Sequence, residues 1–206
     1  MPGDDGTLVR QAQGGDRRAF EELVERYQGQ IYRYVLRSVL DATAAEDLTQ
    51  DTLVRAYASL KAFRGACSFK TWVYRIARNL CIDYQRSGQG GRRRLMPLTA
   101  VVDHPAQGAC ADPLGRSSQQ ELAEQVELAI AALPERFRAI LVLCDLEGLS
   151  YQEAAEVEHC PVGTVKSRLF TARRALRRLL EPYVAQGTAL ATAATGGGAD
   201  ALWESP

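Results

Sequence analysis

Phe20, Leu23, Val24, Tyr27, Ile31, Tyr34 and Val35 recur at spacings of three and four, which lines up apolar side chains along one face of an α-helix. Asp16 stands where a side chain can cap that helix by accepting from its first free amides. Three S/T-x-x-E patterns, Thr43 with Glu46, Ser118 with Glu121 and Ser150 with Glu153, each head a stretch of helical period. They predict capping boxes. Pro134 suits the first turn of a further helix through Cys144. No segment alternates apolar and polar residues over a strand's length, so the expected fold class is all-α.

The period fails between residues 87 and 117, where Gly88, Gly90, Gly91, Gly108 and Gly115 are interspersed with Pro97, Pro105 and Pro113. A structureless stretch of this length is rare inside a compact domain. The expected organisation is therefore two small helical domains, residues 7–87 and 118–183, joined by a flexible linker over 88–117. Each is small enough to be only marginally stable alone. Residues 184–206, rich in Ala, Thr and Gly, are expected to form a disordered tail.

Composition narrows the function classes. A chain of 206 residues, 46% apolar and 24% charged, is an ordinary globular protein and not a large multi-domain enzyme. Its longest apolar run, Ala139 to Cys144, falls far short of the ~20 residues of a membrane-spanning helix, and the N-terminus lacks a signal-peptide pattern. A cytoplasmic location without membrane insertion is expected. The five cysteines include no C-x-x-C pair, so no disulfide framework or metal site is expected, and no cofactor motif or catalytic residue stands out.

Net charge is zero, with 25 basic and 25 acidic residues, but the signs are segregated. From Glu121 to Glu158 there are nine acids and two bases; from Lys166 to Arg178 there are six bases and no acid. Such a chain can bind nucleic acid locally while binding it weakly as a whole.

Three patterns carry candidate chemistry. Ser150 to Glu158, a break at His159 to Pro161 and the long basic stretch that follows make a helix-turn-helix pattern. On a helical wheel Val162, Val165, Leu169, Ala172, Leu176, Leu179 and Leu180 gather on the expected core face, with Lys166, Ser167, Phe170, Thr171, Arg174, Arg177 and Arg178 opposite. Phe170 has no structural use on a solvated face, whereas in a major groove it meets a thymine methyl or a sugar. Along Phe63 to Arg86 the wheel gives a buried side of Trp72, Val73, Ile76, Ala77, Leu80, Cys81 and Tyr84. Thr71, Tyr74, Arg75, Arg78, Asn79, Gln85 and Arg86 form an exposed side without an acid, and Ile82 falls among them with no account from the period. Bases interleaved with an amide and aromatics suit unstacked nucleic acid, although a plain solvated face has the same composition. Lastly, Asp47, Gln50 and Asp51 share a face with Val54. With no His or Cys nearby, they read as a docking face for a protein partner rather than an acid/base pair.

The stretches DLTQD (47–51), FRGACSFKTWVYRIARN (63–79), LPERFRAILVLCDLEGLSYQE (133–153) and CPVGTVKSRL (160–169) resemble the two conserved regions of extracytoplasmic-function sigma factors, the sigma-E group among them. These are initiation subunits of bacterial RNA polymerase, belonging to the sigma-70 family. The resemblance implies that Asp47, Gln50 and Asp51 dock on the β′ clamp helices. It implies that Phe63, Trp72, Tyr74, Arg75 and Asn79 meet the minus-10 element, and that Lys166, Ser167, Phe170, Thr171 and Arg174 meet the minus-35 element. It implies core polymerase, through the β′ clamp helices and the β flap, promoter DNA and an anti-sigma factor as partners, with no cofactor. Arg92, Arg93 and Arg94 would by analogy run along the polymerase's RNA exit path. The chain departs from the family where Thr171 replaces a DNA-contacting Arg, where His159 takes a turn position usually held by Gly or Asp, and where Ala154 replaces a larger aliphatic.

Two other classes compete. A two-component regulator shares the helix-turn-helix but needs an upstream α/β receiver, and the first half has no strands. A thiol-based sensor needs a thiol of low pKa that solvent can reach.

Overall fold

The computed structural model describes residues 4–87 and 118–194, with side chains in the second stretch over 121–183. The first half holds α1 (Asp5–Gln13), α2 (Arg17–Val39), α3 (Ala42–Ser59), a 3-10 turn (Leu60–Ala62) and α4 (Phe69–Arg86). The second holds α5 (Ser118–Ala132), α6 (Glu135–Leu141), α7 (Tyr151–Val157) and α8 (Val162–Ala194). There is no strand among the described residues. The linker expected over 88–117 lies outside them.

Helix α2 is the centre of the first half because its apolar stripe meets three neighbours. Leu23, Ile31, Tyr34 and Val35 are fully buried, and α2 packs on α1, α3 and α4. Asp16 caps it as expected, accepting from Arg18 N at 2.9 Å and Ala19 N at 3.4 Å. The second half closes around Ile130, Ile140, Leu143, Val157, Val165, Leu169 and Ala172. These residues belong to the same contiguous apolar cluster as the first half's core.

Several local expectations need correction. The capping residue of α3 is Asp41, whose side chain accepts from Ala44 N at 3.0 Å, and Thr43 lies inside the helix. The cause is Leu40, which ends α2 in the left-handed region at φ 58° and leaves Asp41 as the first extended residue. The Ser150–Glu153 capping box is present in both directions, while the Ser118 side chain lies outside the described residues. Ser68, unanticipated, caps α4 by accepting from Thr71 N at 3.0 Å. Helix α1 was also not legible in the period. Its Asp5 accepts from Arg26 and from the Tyr27 hydroxyl. His159 takes φ 49° in the turn, a conformation His enters more readily than most non-glycine residues. Helix α8 continues to Ala194, so residues 184–194 carry helical backbone where a disordered tail was expected. Alanine, the strongest helix former, supplies five of those eleven residues.

Candidate functional site

Helix α3 presents Asp47, Gln50 and Asp51 to solvent, with Val54 66% and Tyr57 55% exposed beside them. None of the three polar side chains has a hydrogen-bond or ion-pair partner among the described residues. Tyr57 rests its ring on Phe20 at 4.9 Å, and an exposed strip with unpaired acids at one end and apolar side chains at the other has the composition of a protein-docking surface.

The loop after α3 is held by Gln13, whose amide donates to Leu60 O at 3.0 Å and Phe63 O at 2.7 Å. Gly65 turns it at φ 73°. Phe63 then lies 4.7 Å from the Trp72 ring and 6.4 Å from the Phe69 ring, with Phe69 buried on Tyr27. Phe63 and Trp72 remain half-buried, Arg75 likewise, and Asn79 is exposed. These four form one surface of aromatic faces, an amide and a guanidinium.

Tyr74 does not belong to that surface. Thr71, Tyr74 and Arg78, all placed by the wheel on the exposed side of α4, are buried, Tyr74 completely and Arg78 to 7% exposure. Carboxylates from the second half cover them. The Tyr74 hydroxyl donates to Glu147 Oε2 at 2.7 Å, and the Thr71 hydroxyl donates to Glu153 Oε1 at 3.0 Å. Ser68 donates to the same Glu153 oxygen at 3.2 Å, and Lys70 Nζ donates to the Glu147 carbonyl. The Arg78 guanidinium donates to Glu135 and, from Nη2, to Glu158 Oε2 at 3.1 Å. Its Nε and Glu158 Oε1 are 2.7 Å apart but lack hydrogen-bond alignment, so that contact is electrostatic. Alongside, Arg37 of α2 pairs with Glu127 at 3.0 Å through Nε, and Arg138 reaches back to Ser38 O at 3.3 Å.

Environment sets the charge of this interface. Burial raises the Glu158 carboxyl's pKa against the pull of Arg78. Burial alone would raise Glu153 too, but hydrogen bonds from the Ser150 amide and hydroxyl, Thr71 and Ser68 outweigh it and hold Glu153 below its usual value. Burial raises the Tyr74 hydroxyl well above its ordinary value, with the Glu147 carboxylate adding to the effect, so Tyr74 stays a neutral donor.

On α8 the expected face is exposed throughout. Lys166, Ser167, Thr171 and Arg174 are exposed and Phe170 is 68% exposed, while Val165, Leu169 and Ala172 are buried. The Thr171 hydroxyl donates to Ser167 O at 3.0 Å, so its proton is engaged within the helix. Arg173 is tied to Asp145 by two contacts, 2.6 and 3.0 Å, and anchors α8 to the end of α6. That end is a π-turn, Val142–Leu146. Leu179 leaves the expected core face and is 41% exposed.

Among the described residues no group of His, Cys, Asp and Glu is placed to hold a metal, and no helix is long and apolar enough to cross a membrane. Burial raises all four described thiols, Cys67 and Cys160 modestly, Cys144 to about 11 and Cys81 to about 12. A reactive sensor needs the opposite. At pH 7 these four thiols should react slowly with iodoacetamide, and Cys81 only as fast as the chain opens. Rapid modification of one of them, followed by mass spectrometry, would revive the thiol-sensor class.

The two halves correspond to separate family models, sigma-70 region 2 over residues 23–90 and sigma-70 region 4 over residues 123–176. The RNA polymerase sigma-H factor of Pseudomonas aeruginosa is 38% identical over 188 residues, 87% of this chain and 95% of that protein. The ECF RNA polymerase sigma-E factor of Salmonella typhimurium is 37% identical over 185 residues, 87% of this chain and 96% of that protein. A solved complex of the sigma factor RpoE with the anti-sigma factor NepR from Bartonella quintana matches at a TM-score of 0.60 and 25% identity, covering 79% of this chain and 96% of that one. The described residues are helical without a strand, and their two halves match the two conserved regions of transcription-initiating sigma factors. The chain belongs to the extracytoplasmic-function group of the sigma-70 family.

Proposed function

We propose that this chain binds core RNA polymerase in the cytoplasm and directs promoter-specific initiation, catalysing no chemistry of its own. The observation that carries the reading is the separation of three unlike surfaces on one scaffold. The α3 strip of Asp47, Gln50 and Asp51 suits the β′ clamp helices. The surface of Phe63, Trp72, Arg75 and Asn79 suits an unstacked base of the minus-10 element, with aromatic faces for stacking and an amide for a base edge. Lys166, Ser167, Phe170, Thr171 and Arg174 suit the minus-35 major groove. The second half is then the part held by the β flap. The likeness to a sigma factor solved with its anti-sigma factor supports a partner of that kind here.

Phe63→Ala and Asn79→Ala test the second surface. Each removes a stacking face or a base-edge amide worth about 1–3 kcal/mol. Open-complex formation at a cognate promoter should fall, and closed-complex binding through α8 should persist. Equal loss of both complexes would make these residues structural supports instead.

A further inference from the structure

Gln13, the last residue of α1, spends its amide on the turn that carries Phe63. It donates to Leu60 O at 3.0 Å and to Phe63 O at 2.7 Å, across 47 and 50 positions of sequence. No backbone hydrogen bond holds Arg64, Gly65 or Ala66 among the described residues, so the Phe63 backbone is fixed from its N-terminal side. We propose that α1 is the positioning element of the minus-10 surface, with Gln13 setting the Phe63 turn before a base arrives. The proposal rests on the reading of Phe63, Trp72, Arg75 and Asn79 as the base-binding surface.

A positioning element must itself be held, and α1 is fastened at both ends. At its start Asp5 accepts from Arg26 and from the Tyr27 hydroxyl, and Leu8 and Val9 are buried along it. At its end Gly15 turns the chain at φ 100° into α2, whose own cap is Asp16. Between these points α1 packs on the 3-10 turn and on α4. A second route to the surface runs through Tyr27. Its ring lies 5.6 Å from that of Phe69, which in turn lies 5.8 Å from Trp72 and 6.4 Å from Phe63. Backbone and ring of Phe63 are thus both referred to α1, the first directly and the second through Tyr27 and Phe69.

A primary amide suits this task because it offers two donors from one nitrogen. Leu60 O already accepts from Phe63 N at 3.0 Å, closing the 3-10 turn, and Gln13 adds a second bond to that oxygen while reaching one residue past the turn's end. A stacking platform that is ordered in the free chain spares the cost of ordering it at the moment of capture. Small displacements matter in such a site, where productive geometry tolerates about 0.5 Å. Gln13 needs no contact with the base: it acts through the Phe63 backbone as a positioning residue.

Three variants of the full chain separate hydrogen bonding from packing. Gln13→Met keeps an unbranched side chain of similar length without donors, Gln13→Lys returns donors to the same place, and Gln13→Glu sets a carboxylate against two carbonyl oxygens. Each is assembled with core polymerase on promoters selected by the parent chain and carrying 2-aminopurine in the minus-10 element, whose fluorescence rises as a base unstacks. Closed-complex affinity is measured alongside. Gln13→Met should slow the fluorescence rise about tenfold, as expected for two neutral hydrogen bonds lost. It should also flatten the preference among the four bases at one minus-10 position and leave closed-complex affinity unchanged. Gln13→Glu should be slower still, and Gln13→Lys should stay within about threefold of the parent. Parent behaviour in Gln13→Met overturns the proposal, as does a Lys variant no better than the Met variant. So does a loss shared equally by every template and by the closed complex, which would mark Gln13 as a support for folding alone. If the base-binding reading itself is at fault, Phe63→Ala and Asn79→Ala will also leave the fluorescence rise and the base preference unchanged. If only the role of Gln13 is at fault, those two variants will still impair both.

Discussion

Asp51→Arg is expected to weaken binding to core polymerase by about tenfold to a hundredfold, the range that follows from losing a contact worth roughly 1.4–2.8 kcal/mol. The substitution removes an acceptor from the docking strip and places a cation there, so repulsion from a basic partner adds to the lost contact. Asp51 is exposed and has no partner among the described residues, so folding stability should move by no more than about 0.5 kcal/mol. Affinity titrations against core polymerase, paired with thermal melts, separate the two effects. Unaltered affinity would remove α3 from the polymerase interface.

The largest effect on stability is expected from Ile140→Ala. Ile140 is fully buried in α6, and truncating a buried aliphatic to Ala costs about 2–5 kcal/mol, through lost transfer energy and the cavity left behind. A half of this size has little stability to spare. Denaturant titration should show a large loss in the second half. Transcription should lose its dependence on the minus-35 element while polymerase binding through α3 persists. A loss below about 1 kcal/mol would mean that the helices around Ile140 collapse to fill the space.

What could be seen in the sequence follows from what is local. The exposed face of α8 was legible because Val165, Leu169 and Ala172 set the buried arc within one helix, and Phe170 stands opposite whatever the rest of the chain does. The Asp47 to Asp51 strip was legible for the same reason. Tyr74 and Arg78 were misplaced because other elements bury them: the Tyr74 ring packs on Tyr34 of α2 at 5.2 Å, and Glu147, Glu135 and Glu158, from 57 to 80 positions away, meet the polar ends, whereas a helical wheel contains only its own helix. The clue was the acid-rich block from Glu121 to Glu158, nine acids against two bases, but composition does not say which cations it meets. Asp41 displaced Thr43 as a cap because two candidates stood side by side, and the backbone at Leu40 decided between them. Helix α1 was missed because only Leu8 and Val9 are buried along it, too few to show a period.

The measurement that bears most directly on this account is transcription in vitro by purified core polymerase, with and without the chain, from a library randomised at both promoter elements. The account predicts that initiation at defined start sites depends on the chain, that the templates used share both a minus-10 and a minus-35 sequence, and that Asp51→Arg requires about tenfold to a hundredfold more of the chain for the same selection. Core polymerase that initiates no differently when the chain is present would contradict it.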